Sequence, residues 1–167
     1  MPRSLAIGAV KVGFLATDPA DPSAIKLTEL SAGKDLSDNI LKSGYNLGAT
    51  GADKVSEPSL KSKSNATVPG ASNYAGDITF FRYLDADGKS VPAEDIPYVT
   101  FTGKGVHGWF VERVGPDSSA AWAVGDIVNV YEVIADDPQP PKDYTGYQKF
   151  VQPFHVQNAY PRVAVTA

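Results

Sequence analysis

The sequence predicts a mostly β protein: a β-sandwich or partial barrel of about eight strands, with one short flanking helix and a long polar arm. Short runs of β-branched and aromatic residues, separated by turn residues, recur along most of the chain. The 167 residues include 15 Gly and 13 Pro, which favours many turns and few long helices. A chain of this length normally builds one core, so we expect a single domain over residues 1–167.

Strands are predicted where apolar residues alternate with polar ones or form short β-branched runs. The most regular run, 127–134, has apolar residues on both faces, which indicates a strand covered on both sides. Asp87-Gly88 supplies good turn residues after an earlier strand. The expected strands, in chain order, are 7–15, 78–83, 99–101, 106–114, 127–134, 147–156 and 162–166.

One short helix is predicted after the first strand. Asp21 is a suitable N-cap, Pro22 suits the first helical position, and Gly33 ends the pattern. A further turn of helix is expected around residues 36–40.

Residues 44–74 form the predicted arm. The segment is rich in Gly, Ser, Asn, Ala and Lys and has few large apolar residues, so it cannot fill a core by itself. We expect an exposed β-hairpin or arm in which only short runs are ordered. A mobile, solvated loop is the alternative.

The charge balance argues against tight nucleic-acid binding. The chain has 19 Asp and Glu against 15 Lys and Arg, a formal net charge of −4 and a pI near 5.1, whereas binding to phosphates normally needs a basic face. The absence of Cys excludes disulfides and thiolate chemistry. The apolar run at 5–10 is too short for a signal peptide, and no apolar run approaches the length of a membrane helix.

No arrangement of catalytic or ligand-binding residues is evident. His107 and His155 lie in separate predicted strands without a metal-ligand spacing, and no Gly-x-Ser-x-Gly elbow is present, although a fold can also assemble a triad from scattered residues. Gly103-Lys104-Gly105 lacks the frame of a phosphate-binding loop. We therefore expect no enzymatic activity, no metal and no cofactor.

The order of segments is more informative than any single motif. A strand and a helical segment come first, a polar arm follows, and aromatic-rich strands complete the chain. The segments are AVKVGFL (9–15), LTELSAGKDL (27–36), VPGASNYAGDITF (68–80), GWFVER (108–113), AVGDIVNVY (123–131) and KFVQPF (149–154). In this order they resemble the major tail tube proteins of long-tailed, siphovirus-type bacteriophages, especially those of actinobacterial hosts.

The resemblance implies a structural virion protein. Its subunits would form hexameric rings by pairing edge strands into a ring β-barrel, and the rings would stack into a hollow tail tube. About four strands from each of six subunits would enclose a bore of roughly 40 Å, which admits a DNA duplex without gripping it. The expected partners are other copies, tail proteins at the tube ends, and double-stranded DNA passing through the lumen. Assembly is expected in the host cytoplasm, without membrane insertion.

The resemblance also makes the arm a candidate contact between neighbouring rings. Its lysines are expected to meet acidic loops of another copy, and the tryptophans to anchor a core or an interface. The predicted contact residues are Lys54, Leu60, Lys61, Lys63, Val68, Tyr74, Trp109, Trp122, Asp136 and Asp137.

Two other functions fit the same residues. A tail-terminator or head-tail joining protein would form a single ring that does not polymerise. A monomeric carbohydrate-binding or adhesion module of the β-sandwich type would also have exposed aromatic residues and few charges.

Overall fold

A computed structural model describes residues 7–64 and 66–167 of the chain. Residues 1–6, on which the prediction of no signal peptide partly rests, lie outside the described part. The helices are α1 Leu27–Ala32 and α2 Ile96–Thr100, and a 3₁₀ turn covers Ser37–Asn39. The strands are β1 Val10–Leu15, β2 Lys34–Asp35, β3 Ile40–Ala49, β4 Lys54–Val55, β5 Val68–Pro69, β6 Tyr74–Phe81, β7 His107–Val114, β8 Ile127–Ala135 and β9 Lys149–Ala164.

Strand β9 joins the two halves of one large antiparallel sheet. The strand order of this seven-stranded sheet is β2-β1-β7-β8-β9-β6-β3, and β4 pairs with β5 in a separate hairpin. Residues 149–153 of β9 pair with β6, whereas residues 154–164 pair with β8. Because β9 belongs to both halves, the sheet bends there into a half-barrel. This confirms the predicted mostly β sandwich or partial barrel.

The concave side of the half-barrel encloses an aromatic core. Phe101, at the end of α2, lies among phenyl rings from four strands. Its ring centroid is 5.0 Å from Phe14, 5.7 Å from Phe80 and 4.9 Å from Phe154. Each of these side chains is at most 5% exposed, and burying each stabilises the fold by roughly 2 kcal/mol.

A second, aliphatic core lies on the convex side of the sheet. Val111 of β7 and Val130 of β8 are fully buried there beneath Ile25 and Leu30, the latter from α1. Strands β7 and β8 are therefore covered on both faces, which confirms the expectation from the apolar pattern of 127–134.

The predicted helix is shorter at its start than expected. Asp21 caps a local turn instead of the helix, because its Oδ1 accepts hydrogen bonds from the N–H and hydroxyl of Ser23 at 2.9 and 2.6 Å. The Glu29 carboxylate accepts a 2.9 Å bond from the Lys26 N–H, which satisfies a donor at the true beginning of α1.

Residues 99–101, predicted as a strand, instead form the end of α2 and the residue after it. The carboxylate of Asp95, fully buried just before α2, accepts hydrogen bonds from Arg82 Nε at 3.2 and 3.0 Å. Pro97 lies in the first helical turn, where its missing N–H costs nothing. This tertiary anchoring places Phe101 in the core and overrides the local β preference.

The predicted strands 147–156 and 162–166 are parts of the single strand β9. The register against β8 shifts at two places, and Arg162 has a φ of 57°. Pro161 has no N–H to donate, so it interrupts the ladder as part of a bulge without ending the strand.

The projecting segment is shorter than the predicted 44–74. Residues 44–49 complete β3, residues 45–49 pair with β6, and the last pair is Ala49 opposite Tyr74. The projecting residues are 50–73, and the arm has these bounds from here on.

Gly76→Ala tests the close contact between β6 and β9. A Cβ at Gly76 would meet the backbone O of Phe154, so we expect the free energy of unfolding to fall by about 3 kcal/mol in urea denaturation. Gly51→Ala is the matched control, since a Cβ there meets nothing within 4 Å. Equal stability of the two variants would contradict this packing.

Candidate assembly surfaces

Strand β3 is the terminal strand of the large sheet. Among the described residues it pairs with β6 alone, and its side chains Lys42, Ser43 and Asn46 are exposed. The side of β3 that faces the core is held in place, because the Tyr45 hydroxyl donates a 2.6 Å hydrogen bond to Glu112 Oε2 on β7. Burial, and then the Glu112 charge, raise the pKa of Tyr45 well above its usual range, so this hydroxyl stays a neutral donor. A fixed strand with an open edge is a template for another strand.

The arm is an exposed hairpin with apolar side chains. Val55 lies opposite Val68 in the β4–β5 pair, and the Thr50 N–H donates to the Asn73 carbonyl at 2.7 Å near the root of the arm. Val55 and Val68 are 44% and 60% exposed, and Leu60 is fully exposed. This confirms an exposed hairpin with short ordered runs. The predicted contact residues Lys54, Lys61 and Lys63 are exposed on the same arm.

The two predicted acidic contacts differ in their surroundings. Asp136 lies 3.0 Å from His155 Nε2 and 3.7 Å from Lys104 Nζ. The hydrogen bond with His155, followed by that from the Asp137 N–H, holds the pKa of Asp136 below its usual range. Asp136 already has cationic or hydrogen-bonding neighbours within its own chain, whereas Asp137 is exposed. Of the two, Asp137 is the better acceptor for a lysine of another copy.

Three aromatic residues predicted as contacts pack within the chain. Trp109 is 6% exposed in the convex core, and its Nε1–H donates to Asp18 Oδ1 at 2.9 Å. Tyr74 packs partly buried against the aromatic core, and Trp122 is half-buried with its ring 5.2 Å from the Arg113 guanidinium. Their role between subunits stays a prediction.

Arg113 organises the loop between β7 and β8, a role missed by sequence reasoning. The side chain is 1% exposed and donates to Asp126 Oδ2 at 2.8 Å, and to the carbonyls of Asp117, Ala120 and Ala121 at 3.0, 2.9 and 2.8 Å. Burial alone would raise the pKa of Asp126, but the Arg113 hydrogen bond, the Ala123 N–H and the Arg113 charge together lower it. The alternation of side chains along β7 could have indicated that Arg113 is buried, since Arg113 shares a face of the strand with buried Val111.

An aromatic cleft opens at the end of β6. It has a volume of about 420 Å³, and the ring centroids of Phe81 and Tyr147 lie 6.0 Å apart at 87°. The Tyr83 hydroxyl donates to the Asp38 carbonyl at 3.3 Å, which joins the cleft to the 3₁₀ turn. The lining residues are Asp38, Phe81, Arg82, Tyr83, Leu84 and Tyr147.

The part of the chain that the structure describes contains no cluster of three or more His, Cys, Asp or Glu side chains arranged to hold a metal ion. Within 7–64 and 66–167, no helix has the length and apolar character needed to cross a membrane.

A family model of phage tail tube proteins matches residues 1–167. The chain belongs to this family. The comparison with curated proteins returned no match. Among solved structures, the chain is similar to one in the "Cryo-EM structure of the anti-feeding prophage (AFP) baseplate, 6-fold symmetrised", with a TM-score of 0.53, 10% identity and 95% of each chain covered. At that identity the likeness shows a shared fold.

Membership of this family confirms the resemblance predicted from the order of segments. The tail tube protein is a structural component of the virion and not an enzyme. The siphovirus type and the actinobacterial host stay predictions.

Asp126→Asn tests the buried ion pair with Arg113. Because the pKa of Asp126 is lowered in the folded state, its contribution is fully present above its ordinary value of 3.8 and is lost as pH falls through the lower folded value. We expect the variant to lose about 2 kcal/mol of unfolding free energy at pH 7, with the difference from wild type shrinking below about pH 4. Chemical denaturation across pH measures this. Asp137→Asn, at an exposed position, is the control, and a difference of the same size at every pH would contradict the linkage.

Proposed function

We propose that copies of this tail tube protein close into hexameric rings, that the rings stack into the hollow tube of a siphovirus-type tail, and that the phage genome passes through it. The observation that carries this proposal is the sheet order, in which the half-barrel ends in a ten-residue terminal strand, β3, with the arm directly after it. Membership of the family and the six-fold symmetry of the similar baseplate structure support it. Assembly with other tail proteins at the tube ends follows from the same family.

The open edge of β3 provides a physical reason for ring formation. A long terminal strand exposes backbone N–H and C=O groups that a monomeric protein normally protects. Residues 40–49 contain no Pro, so β3 can accept a strand along its length. On the other side of this half of the sheet, Gln139 forms an isolated β-bridge with Val151 of β9. Pro138 and Pro140 flank Gln139 and have no N–H to donate, which limits pairing of a further strand there. In a hexameric ring such a contact is heterologous, with β3 meeting a different surface of the next copy, and it closes when the rotation between copies permits.

The size and charge of such a ring suit the passage of DNA. Six copies contributing about four strands each, spaced ~4.8 Å and tilted ~40°, form a barrel about 150 Å in circumference. Side chains extending ~5 Å inward leave a bore of roughly 40 Å. The net charge of −4 per subunit avoids strong binding of phosphates, so the duplex passes without being held.

The arm then connects successive rings. Its exposed Val55, Leu60 and Val68 have no place in either core of their own chain, and burying them against another copy is favourable. Lys54, Lys61 and Lys63 add charge that acidic loops of that copy can meet.

Replacing the arm tests this function. Because Ala49 and Tyr74 are directly opposite, residues 50–73 can be exchanged for Asn-Gly, which closes β3 and β6 as a two-residue hairpin. We expect the variant to fold with an unchanged melting temperature but to form no tubes by negative-stain microscopy at concentrations where the wild type does.

Substitution of Glu57 by Gln within the intact arm is the control and should leave tubes unchanged. Tube formation by the arm-replaced variant would contradict the role of the arm. A wild-type protein that stays monomeric at high concentration would overturn the proposed function itself.

A further inference from the structure

The arm and the aromatic cleft lie at opposite ends of the same two-stranded ribbon. The arm leaves β3 and β6 where Ala49 pairs with Tyr74, whereas the cleft begins at Phe81, beyond the pair of Ile40 with Phe80. The eight residues of β6, at ~3.3 Å each, separate the two ends by on the order of 25 Å. The arm of one molecule is therefore directed away from its own cleft.

The cleft combines an aromatic floor with an acidic rim. Phe81, Tyr83 and Tyr147 supply the rings, and Tyr147 is 82% exposed although it packs edge-on against Phe81. Asp38 lines the cleft and Asp85 follows Leu84 directly.

The charges of this rim are unbalanced. Asp38 lines the cleft, and in the turn after Leu84 the side chains of Asp85 and Asp87 are exposed against that of Lys89. The cation that lines the cleft, Arg82, is already paired with Asp95 at 3.0 Å. The rim thus favours a cationic partner.

The tip of the arm has the complementary chemistry. Leu60 is fully exposed, and the Ser62 N–H donates to the Ser59 carbonyl at 2.9 Å, which closes a turn around Leu60. Residues 58–64 include Lys61 and Lys63 and no carboxylate. An apolar side chain flanked by two cations matches an aromatic cleft with a negative rim.

We propose that the arm tip of one subunit docks in the aromatic cleft of another, with Leu60 against the rings of Phe81 and Tyr147 and the two lysines beside Asp38 and Asp87. The inference rests on the proposed tube and assigns its ring-to-ring contact. Since tip and cleft lie at opposite ends of the ribbon, the contact is head-to-tail, and each docked subunit presents a free cleft or tip to the next. The contact is therefore open-ended and generates a stack.

Engineered cysteines test this contact, because the chain has no native Cys. The double variant Leu60→Cys/Leu84→Cys is assembled, oxidised mildly and run on a non-reducing gel. We expect a ladder of linked subunits, at least about tenfold more abundant in assembled than in dilute protein, because docking raises the effective concentration of the two thiols. The matched control is Leu60→Cys/Val124→Cys, since Val124 is 57% exposed and lies in the loop between β7 and β8.

The outcomes separate the docking contact from the tube itself. A ladder with the Leu84 pair and none with the Val124 pair supports the contact. Tubes without a Leu84 ladder, or with equal ladders for both pairs, overturn the docking contact and leave the proposed function intact. If the wild type forms no tubes at any concentration, the proposed function fails and the contact fails with it.

A charge exchange provides a second test that does not depend on thiols. Lys61→Glu/Lys63→Glu should raise the protein concentration needed for tube formation by about tenfold. Adding Asp38→Lys/Asp87→Lys to the same chain should restore the wild-type value, because each docked pair regains opposite charges. Restoration supports the contact, and a further loss on combination overturns it, provided that circular dichroism shows all variants folded.

Discussion

The shared strand β9 is the constraint on which the rest of the structure depends. Its first residues pair with β6 and the remainder pair with β8, so one continuous backbone ties the two halves of the sheet together. Gly76 lies against Phe154 where β9 changes partner, and the aromatic core around Phe101 fills the bend. Backbone pairing and packing together set the angle between the halves. Among the described residues β3 pairs with β6 alone and so ends that half of the sheet, and the arm follows it directly in the chain.

The fold pairs its buried charges within one chain but leaves a strand edge and several apolar side chains exposed. Buried charges have partners within the chain, as Asp95 has in Arg82 and Arg113 has in Asp126, so the monomer has no need of a neighbour to satisfy them. The terminal edge of β3 and the apolar side chains of Leu60 and Val68 remain exposed instead. Folding and the proposed assembly therefore depend on different residues.

Local patterns predicted five strands of the large sheet, β1, β6, β7, β8 and β9, but not β2 or β3. The order of segments predicted the family, whereas contacts between distant residues could not be predicted from either. The pattern of 127–134 identified a strand covered on both faces, as found. The continuity of β9 between the predicted strands 147–156 and 162–166 was missed, because the bulge beside Pro161 involves Asn129, whose Oδ1 accepts the Arg162 N–H from the neighbouring strand. Residues 99–101 have β propensity, yet they end a helix. The buried Asp95 carboxylate, bonded to Arg82, anchors the residue just before α2. The aromatic cleft joins residues far apart in the sequence, so no local signal could reveal it.

The central claim is that β3 is an open edge until another copy covers it. Hydrogen exchange of the β3 backbone amides, measured on dilute and on assembled protein, tests this most directly. We predict that amides directed away from β6 exchange at least about tenfold more slowly after assembly, while those in the centre of β8 are protected in both states. Unchanged exchange in β3, with assembly verified by microscopy of the same sample, would contradict the account.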